Sequence, residues 1–235
     1  MEIIGGILSL IIPFLLYRFL LKGTVRTISN KEYILRSVIA GTFYMIPISL
    51  FLLITVWIFH LDFDTSTLIG AFLKCFITYA LLEEAIKFYF TNRLLNNRPQ
   101  LGMKEAVLYA GTVGLGFGFT EKLLQGGVAL IQNAILPSHA LFQWIMGYYI
   151  YKAARAEGSE RKKYYALAFL IPYVVHGLWD FGLEGGGVLL DESYSLTVRL
   201  IGGCLMAACI ILNVVVFIAA IVKIYAASRL RMLFL

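Results

Sequence analysis

Runs of about 20 apolar residues recur along the chain, and they constrain its fold more than any other feature. A helix that rises 1.5 Å per residue crosses a hydrocarbon core of about 30 Å with about 20 residues. The runs lack the length and alternation of barrel strands. Hydrophobic residues make up 60% of the chain, against roughly 45–50% in soluble domains. The sequence therefore predicts an all-α, polytopic membrane helical bundle.

The apolar runs place about seven transmembrane helices near 3–21, 37–59, 68–90, 106–126, 129–151, 164–182 and 196–222. The first run has no basic residue ahead of it and no small-residue cleavage site, so we expect a retained helix rather than a signal peptide. No internal repeat or separate soluble domain is evident. We therefore expect one transmembrane domain over residues 1–235, with its motifs concentrated in about 68–182.

The basic residues of the connecting segments indicate the orientation. With the N-terminus outside, sixteen Lys and Arg residues fall on the cytoplasmic side, and only Lys122 and Arg199 fall outside. This asymmetry follows the positive-inside rule and predicts a plasma-membrane protein with a cytoplasmic C-terminus. The net charge of +6 is thereby explained by orientation and contact with the lipid bilayer, and we expect no nucleic-acid partner.

The third predicted span carries two glutamates and a lysine within an apolar run. Glu83 and Glu84 precede Lys87 by four and three residues, so the lysine can reach either carboxylate on one helix face. Ionisable groups inside a membrane are costly and usually face the bundle interior or a wet cavity. Two carboxylates beside one lysine suit acid/base chemistry, and they equally suit a structural ion pair that locks the bundle.

The fourth predicted span combines a ridge of small residues with a glutamate. Ala106, Ala110, Gly114 and Gly118 recur at every fourth position, which predicts the close approach of another helix. Glu121 follows Gly118 by three residues and projects from nearly the same side. Glu121 is either part of a site or, with its neighbour Lys122, part of the outer interface.

Two histidines lie on the next two spans. His139 stands near the outer end of the fifth span, where a lone histidine is often a structural hydrogen-bonding group. His176 and Asp180 are one turn apart on the sixth span and share a face. The aspartate can fix the orientation of the imidazole, or both groups can bind one ligand. Pro172, one turn earlier, loosens this helix.

Together these groups are the inventory of a hydrolytic site, but the sequence lacks several known designs. It contains no HExxH zinc motif, no GxGD and no GxSxG nucleophile elbow. It does contain, in order on successive spans, EEAIK (83–87), FGFTE (117–121), HALFQWIMG (139–147) and HGLWD (176–180).

This order of motifs resembles the PrsW family of intramembrane proteases, within the superfamily of type II CAAX prenyl proteases and bacteriocin self-immunity proteins. The resemblance covers about the central hundred residues. It implies hydrolysis of a peptide bond in or beside a membrane, with a single-pass membrane protein such as an anti-sigma factor as the substrate. An alternative from another class is a proton- or ion-coupled transporter with a carboxylate–histidine relay, and a third is a catalytically silent adaptor.

The resemblance implies catalytic roles for Glu83, Glu84, Glu121, His176 and Asp180. Either glutamate of the pair would be the general base that activates water, Glu121 would help to hold that water, and His176 with Asp180 would stabilise the oxyanion or bind a metal. The supporting residues would be Lys87, His139 and Phe117. Lys87 would orient the glutamate pair.

The cofactor stays open at this point. A catalytic zinc ion needs about three protein ligands, which Glu121, His139 and His176 can provide, whereas water activated by a glutamate needs no metal. The sequence departs from the family pattern at two places. Lys122 follows Glu121 where the family often has asparagine, and no arginine precedes His139 closely. Both departures bear on the substrate more than on the chemistry. The predicted boundaries also place Glu84 and Glu121 towards opposite ends of their spans. A common site therefore requires those boundaries to shift by a few residues, or the fourth span to be sunk and kinked at its glycines.

Overall fold

The computed structural model describes residues 63–125 and 137–230, together with residues 38–43 and scattered positions between 11 and 58. The described residues form helices and no strand, which confirms the all-α prediction. The helices are α1 Leu68–Leu73, α2 Leu81–Asn96, α3 Met103–Gln125, α4 Ser138–Ala153, α5 Gly158–Leu189 and α6 Leu196–Leu230. The predicted span near 3–21 lies outside the described residues except at two positions, and the span near 37–59 is described at 38–43, where it is helical, and at a few further positions. Residues 129–136 of the fifth span also lie outside the described residues.

Helices α1 and α2 are parts of one longer helix. The side chain of Thr67 caps its start by accepting a hydrogen bond of 3.1 Å from the backbone N–H of Gly70. A π-helical segment, Lys74–Ala80, joins α1 to α2 without a break, because the residues at its junctions keep right-handed helical dihedrals. Segments of this kind are frequent at functional sites. The helix continues to Asn96, so Glu83 and Glu84 lie near the middle of the whole run.

Helices α3 and α4 approach each other closely, as the ridge of small residues predicts. A Cβ atom on Gly114 would overlap the backbone carbonyl of His139. From the opposite side, a Cβ on Gly147 would lie 2.5 Å from the Cβ of Ala110 and 3.0 Å from the carbonyl oxygen of Ala106. Only small residues permit this spacing. The close contact brings the start of α4 against α3 and thereby places His139.

Helix α5 packs against α4, α6 and the π-helical segment. It begins at Gly158, whose φ of +54° favours glycine, and it continues through Pro172. At Gly177 the absence of a side chain admits the ring of Phe76, which a Cβ would meet at 2.6 Å. His176 is therefore held where the π-helical segment and α4 both meet α5.

Two of the described helices are long and apolar enough to cross a membrane, namely Gly158–Leu189 and the Leu196–Val222 part of α6. Much of α6 exposes large aliphatic side chains, including Leu200, Ile211 and Ile218. An aliphatic surface of this extent is typical of a helix in contact with lipid.

Candidate active site

The centre of the candidate site is the ammonium group of Lys87, a side chain with no exposed surface. Its Nζ lies 3.2 Å from Oε2 of Glu83, 2.8 Å from Oε1 of Glu84 and 2.9 Å from Nδ1 of His139. An ammonium group has three N–H donors, so each donor has one acceptor. The fourth neighbour is the ring of Phe117, whose centroid lies 3.9 Å from Nζ.

The contact with Lys87 defines the hydrogen bonding of His139. Because Nδ1 accepts from the ammonium group, we assign the ring proton to Nε2. That nitrogen lies 2.5 Å from Oε2 of Glu121, which is a charge-assisted contact. Glu121 therefore reaches the rest of the site through His139. The other oxygen of Glu121 accepts from Lys122 at 2.7 Å and from Gln125 at 2.8 Å, at the rim of the site.

His176 lies between two carboxylates. Its Nδ1 lies 2.9 Å from Oε1 of Glu84, and its Nε2 lies 3.1 Å from Oδ2 of Asp180. The Asp180 contact confirms that the residues at i and i+4 share a face. The ring also stacks on Phe142 with a centroid distance of 4.9 Å and meets the His139 ring edge-on at 5.1 Å. These contacts fix the plane of the imidazole.

The two glutamates of EEAIK have different surroundings. Glu84 is completely buried, and its Oε1 is shared by Lys87 and His176. Its Oε2 is buried and has no hydrogen-bond partner among the described residues. Glu83 keeps about 8% of its side chain exposed, and its Oε2 lies 3.9 Å from Nε2 of His176. A gap of that length between polar atoms is suited to a bridging water.

The donor set fits a metal ion once Lys87 releases Nδ1 of His139, since Nε2 of that ring faces Glu121. Glu83, His139 and His176 each offer one ligand atom, and these atoms all lie within 4.8 Å of one another. Three such ligands are the usual number for catalytic zinc. Glu121 and Glu84 lie against the two imidazoles, where carboxylates commonly orient metal-bound histidines. The set expected from the sequence was Glu121, His139 and His176. The structure brings the same two histidines together with Glu83 instead, and Glu121 lies on the far side of the His139 ring.

All the predicted site residues meet in this one cluster. Contacts link Glu121 through His139 and Lys87 to the glutamate pair, and then through His176 to Asp180. The expected difference in depth does not separate them, because Glu84 lies mid-helix while Glu121 and His139 lie at neighbouring ends of α3 and α4.

Sequence reasoning missed a second polar contact beside the cluster. The hydroxyl of Thr91 donates to Oε1 of Gln143 at 2.8 Å, and both side chains are fully buried. Thr91 follows Lys87 by one turn and Gln143 follows His139 by one turn, so each continues the polar face of its helix. That i+4 spacing was the available signal.

Comparison with known proteins gives one family. The model of the PrsW family of intramembrane metalloproteases matches residues 29–221. Protease PrsW of Oceanobacillus iheyensis is 35% identical over 121 residues, covering 48% of this chain and 56% of that protein. Protease PrsW of Geobacillus kaustophilus is 34% identical over 116 residues, covering 46% and 51%.

A third relative, Protease PrsW of Halalkalibacterium halodurans, is 26% identical over 155 residues, covering 63% of this chain and 68% of that protein. The chain spans about half the length of the first two relatives. No solved structure matches it. Since the family model covers most of the chain, including all four motifs, this chain belongs to the PrsW family of intramembrane metalloproteases.

Proposed function

We propose that this protein is an intramembrane endopeptidase, in which a glutamate activates the water that hydrolyses a peptide bond of a single-pass membrane protein. The observation that carries the proposal is the buried cluster around Lys87, where carboxylates and imidazoles from four helical elements meet. Burial of so many ionisable groups is costly and is typical of functional sites. Family membership and relatives named Protease PrsW support the same function.

Glu83 is the proposed general base. It is the less buried glutamate of the pair, and its Oε2 faces Nε2 of His176 across 3.9 Å, where one water can bridge the two. A base must lie within hydrogen-bond reach of the proton that it removes. Glu84 is the alternative base, since its Oε2 lacks a partner among the described residues; its Oε1, held by Lys87 and His176, favours a positioning role instead.

The remaining residues hold these groups in place. Glu84 orients His176 through Nδ1, and Asp180 lies at Nε2. The oxyanion of the tetrahedral intermediate would accept a hydrogen bond from Nε2 in place of Asp180. Lys87 balances the charge of the glutamates. After attack, the proton taken up by Glu83 is available to the leaving amine.

A divalent metal would be held by Glu83, His139 and His176. It would supply Lewis-acid polarisation of the substrate carbonyl and a more acidic bound water. In that case Glu121 and Glu84 keep the histidines oriented from behind.

The proposed setting is a bundle of about seven spans in the plasma membrane, with the N-terminus outside and the C-terminus cytoplasmic. The distribution of basic residues supports this orientation. The proposed substrate class is an anti-sigma-factor-type protein with a single span, which is what the resemblance to the PrsW family implies. A site built inside a bundle would reach a peptide bond of such a protein at the depth of the membrane.

The test compares Glu83→Gln and Glu84→Gln in separate variants, with a tagged single-pass substrate in proteoliposomes. We expect Glu83→Gln to slow cleavage by about 10²- to 10⁴-fold. Glu84→Gln keeps an amide oxygen that can still accept from Lys87 and His176, so the loss should be smaller. Glu160→Gln, an exposed change on α5, is the matched control.

If both Glu83→Gln and Glu84→Gln cleave the substrate as fast as the wild type, neither glutamate takes part in the mechanism. If neither the wild type nor the variants cleave any substrate, but the wild type conducts protons and Glu83→Gln does not, the transporter alternative replaces the peptidase. Activity that survives a chelator, together with absence of bound metal by mass spectrometry, would assign the chemistry to the glutamate alone.

A further inference from the structure

A second polar cavity lies at the opposite end of α2 from the π-helical segment. It has a volume of about 360 Å³, within the usual range for ligand sites. Its apolar wall includes Leu95, Leu101 and Ile150. It is bounded by the end of α2, the linker to α3, the end of α4 and the first turns of α5.

Three arginines line this cavity, and none of the described residues that line it is acidic. They are Arg98 from the linker, Arg155 from the end of α4 and Arg161 from α5. A guanidinium group is planar and always charged, and its N–H groups match the oxygens of a phosphate in pairs. Three of them around one cavity favour an anion that carries several oxygens.

Arg155 holds the walls of the cavity together. Its Nη2 donates to the carbonyl oxygens of Pro99 at 3.0 Å and Leu101 at 2.7 Å, and its guanidinium lies 3.7 Å from the ring centroid of Tyr151. These contacts fasten the linker between α2 and α3 to α4. With the bond from Nη1 to the Tyr151 carbonyl, they engage three of its five N–H groups. The walls are therefore held in place before any ligand arrives.

The position of the cavity matches the lipid headgroup region. It lies where α2 and α4 end and α3 begins, on the side that the basic residues predict to be cytoplasmic. Basic pockets between membrane helices on that side recognise the headgroups of anionic lipids.

We propose that this cavity binds a phosphate-bearing anion, with Arg98 and Arg161 as the ligand-binding arginines and Arg155 as the residue that holds the cavity open. The phosphate can belong to an anionic lipid headgroup or to a soluble phosphate. The proposal does not depend on the peptidase function, because the cavity is separated from Lys87 by two turns of α2.

The test uses the full-length chain in nanodiscs of phosphatidylcholine alone or with phosphatidylglycerol, and in neutral detergent with inorganic phosphate. The readouts are the melting temperature and the lipid retained in native mass spectrometry. We expect phosphatidylglycerol to raise the melting temperature and to be retained. The double variant Arg98→Gln/Arg161→Gln should bind it roughly 25-fold more weakly, from about fivefold per arginine near an anionic surface.

Lys162→Gln/Lys163→Gln is the matched control, because it removes the same charge from exposed positions outside the cavity. Its affinity should fall clearly less than that of the arginine pair, because neither lysine lines the cavity. Equal losses in the two double variants, or no binding of either probe by the wild type, would overturn the proposal. Stabilisation by inorganic phosphate assigns a soluble ligand, whereas stabilisation by phosphatidylglycerol alone assigns a headgroup. If the arginine pair melts early in phosphatidylcholine, Arg161→Gln alone serves as the variant.

Discussion

Replacement of Lys87 by methionine removes the ammonium group from the centre of the site while keeping most of the side-chain volume. Lys87 is fully buried and contacts Glu83, Glu84 and His139 within 3.2 Å. Removing one partner of a buried ion pair costs about 3–5 kcal/mol, because the remaining charge is left without compensation. Two carboxylates lose their cation here, so we expect Lys87→Met to lower the free energy of unfolding by that amount.

The measurement is reversible unfolding in detergent micelles, followed by the fluorescence of the three tryptophans. Lys122→Met is the matched control, since Lys122 pairs with Glu121 at the partly exposed rim, where an ion pair contributes about 1 kcal/mol or less. A second change, Glu84→Gln in the Lys87→Met background, should recover about 1–2 kcal/mol, because coupled neighbours are not additive. Equal effects of Lys87→Met and Lys122→Met, with no recovery, would refute the central role of Lys87.

The remaining predictions concern packing and the second polar contact. Gly114→Ala should destabilise the protein by about 1–3 kcal/mol through overpacking, because its Cβ would overlap the His139 carbonyl. Gly203→Ala is the control and should leave the stability unchanged, because a Cβ there meets nothing within 4 Å. Equal melting temperatures of the two variants would contradict the close packing at Gly114. Thr91→Val should cost about 1–3 kcal/mol by leaving buried Gln143 without its hydroxyl donor. Thr91→Ser, which keeps the hydroxyl, should retain most of the stability in the same unfolding assay.

The sequence predicted which side chains meet better than it predicted the ends of the helices. The pairs Glu83–Lys87 and His176–Asp180 followed from helical spacing alone, because residues four apart share a face. The ridge through Ala110 and Gly114 followed from the same rule. Each of these predictions depends only on local geometry.

The role of His139 could not be predicted in this way. Its position depends on three non-local contacts, with Lys87, Glu121 and the ring of His176, which periodicity within one helix does not encode. The conflict in depth between Glu84 and Glu121 had a related cause. The predicted spans treated each apolar run as one crossing of similar length, whereas the helix that contains Glu84 runs from Leu68 through a π-helical segment to Asn96.

The net charge of the cluster can be balanced in two ways, with or without a divalent metal ion. Among the described residues, the cluster and its rim contain four carboxylates and two ammonium groups. The carboxylates are those of Glu83, Glu84, Glu121 and Asp180, and the ammonium groups are those of Lys87 and Lys122. Two further positive charges are needed for neutrality. A proton on His176 and a proton on one carboxylate would supply them, because Nδ1 of His139 accepts from Lys87. One divalent ion held by Glu83, His139 and His176 would supply them equally.

Because an unbalanced buried charge is expensive, these two states should exclude each other rather than add. Ligands must be deprotonated before they bind a metal, so loading the site with a divalent ion should release these two protons. Lys87 carries its charge in both states. Its ammonium group therefore supplies the constant part of the positive charge, and either the two exchangeable protons or the divalent ion supply the rest.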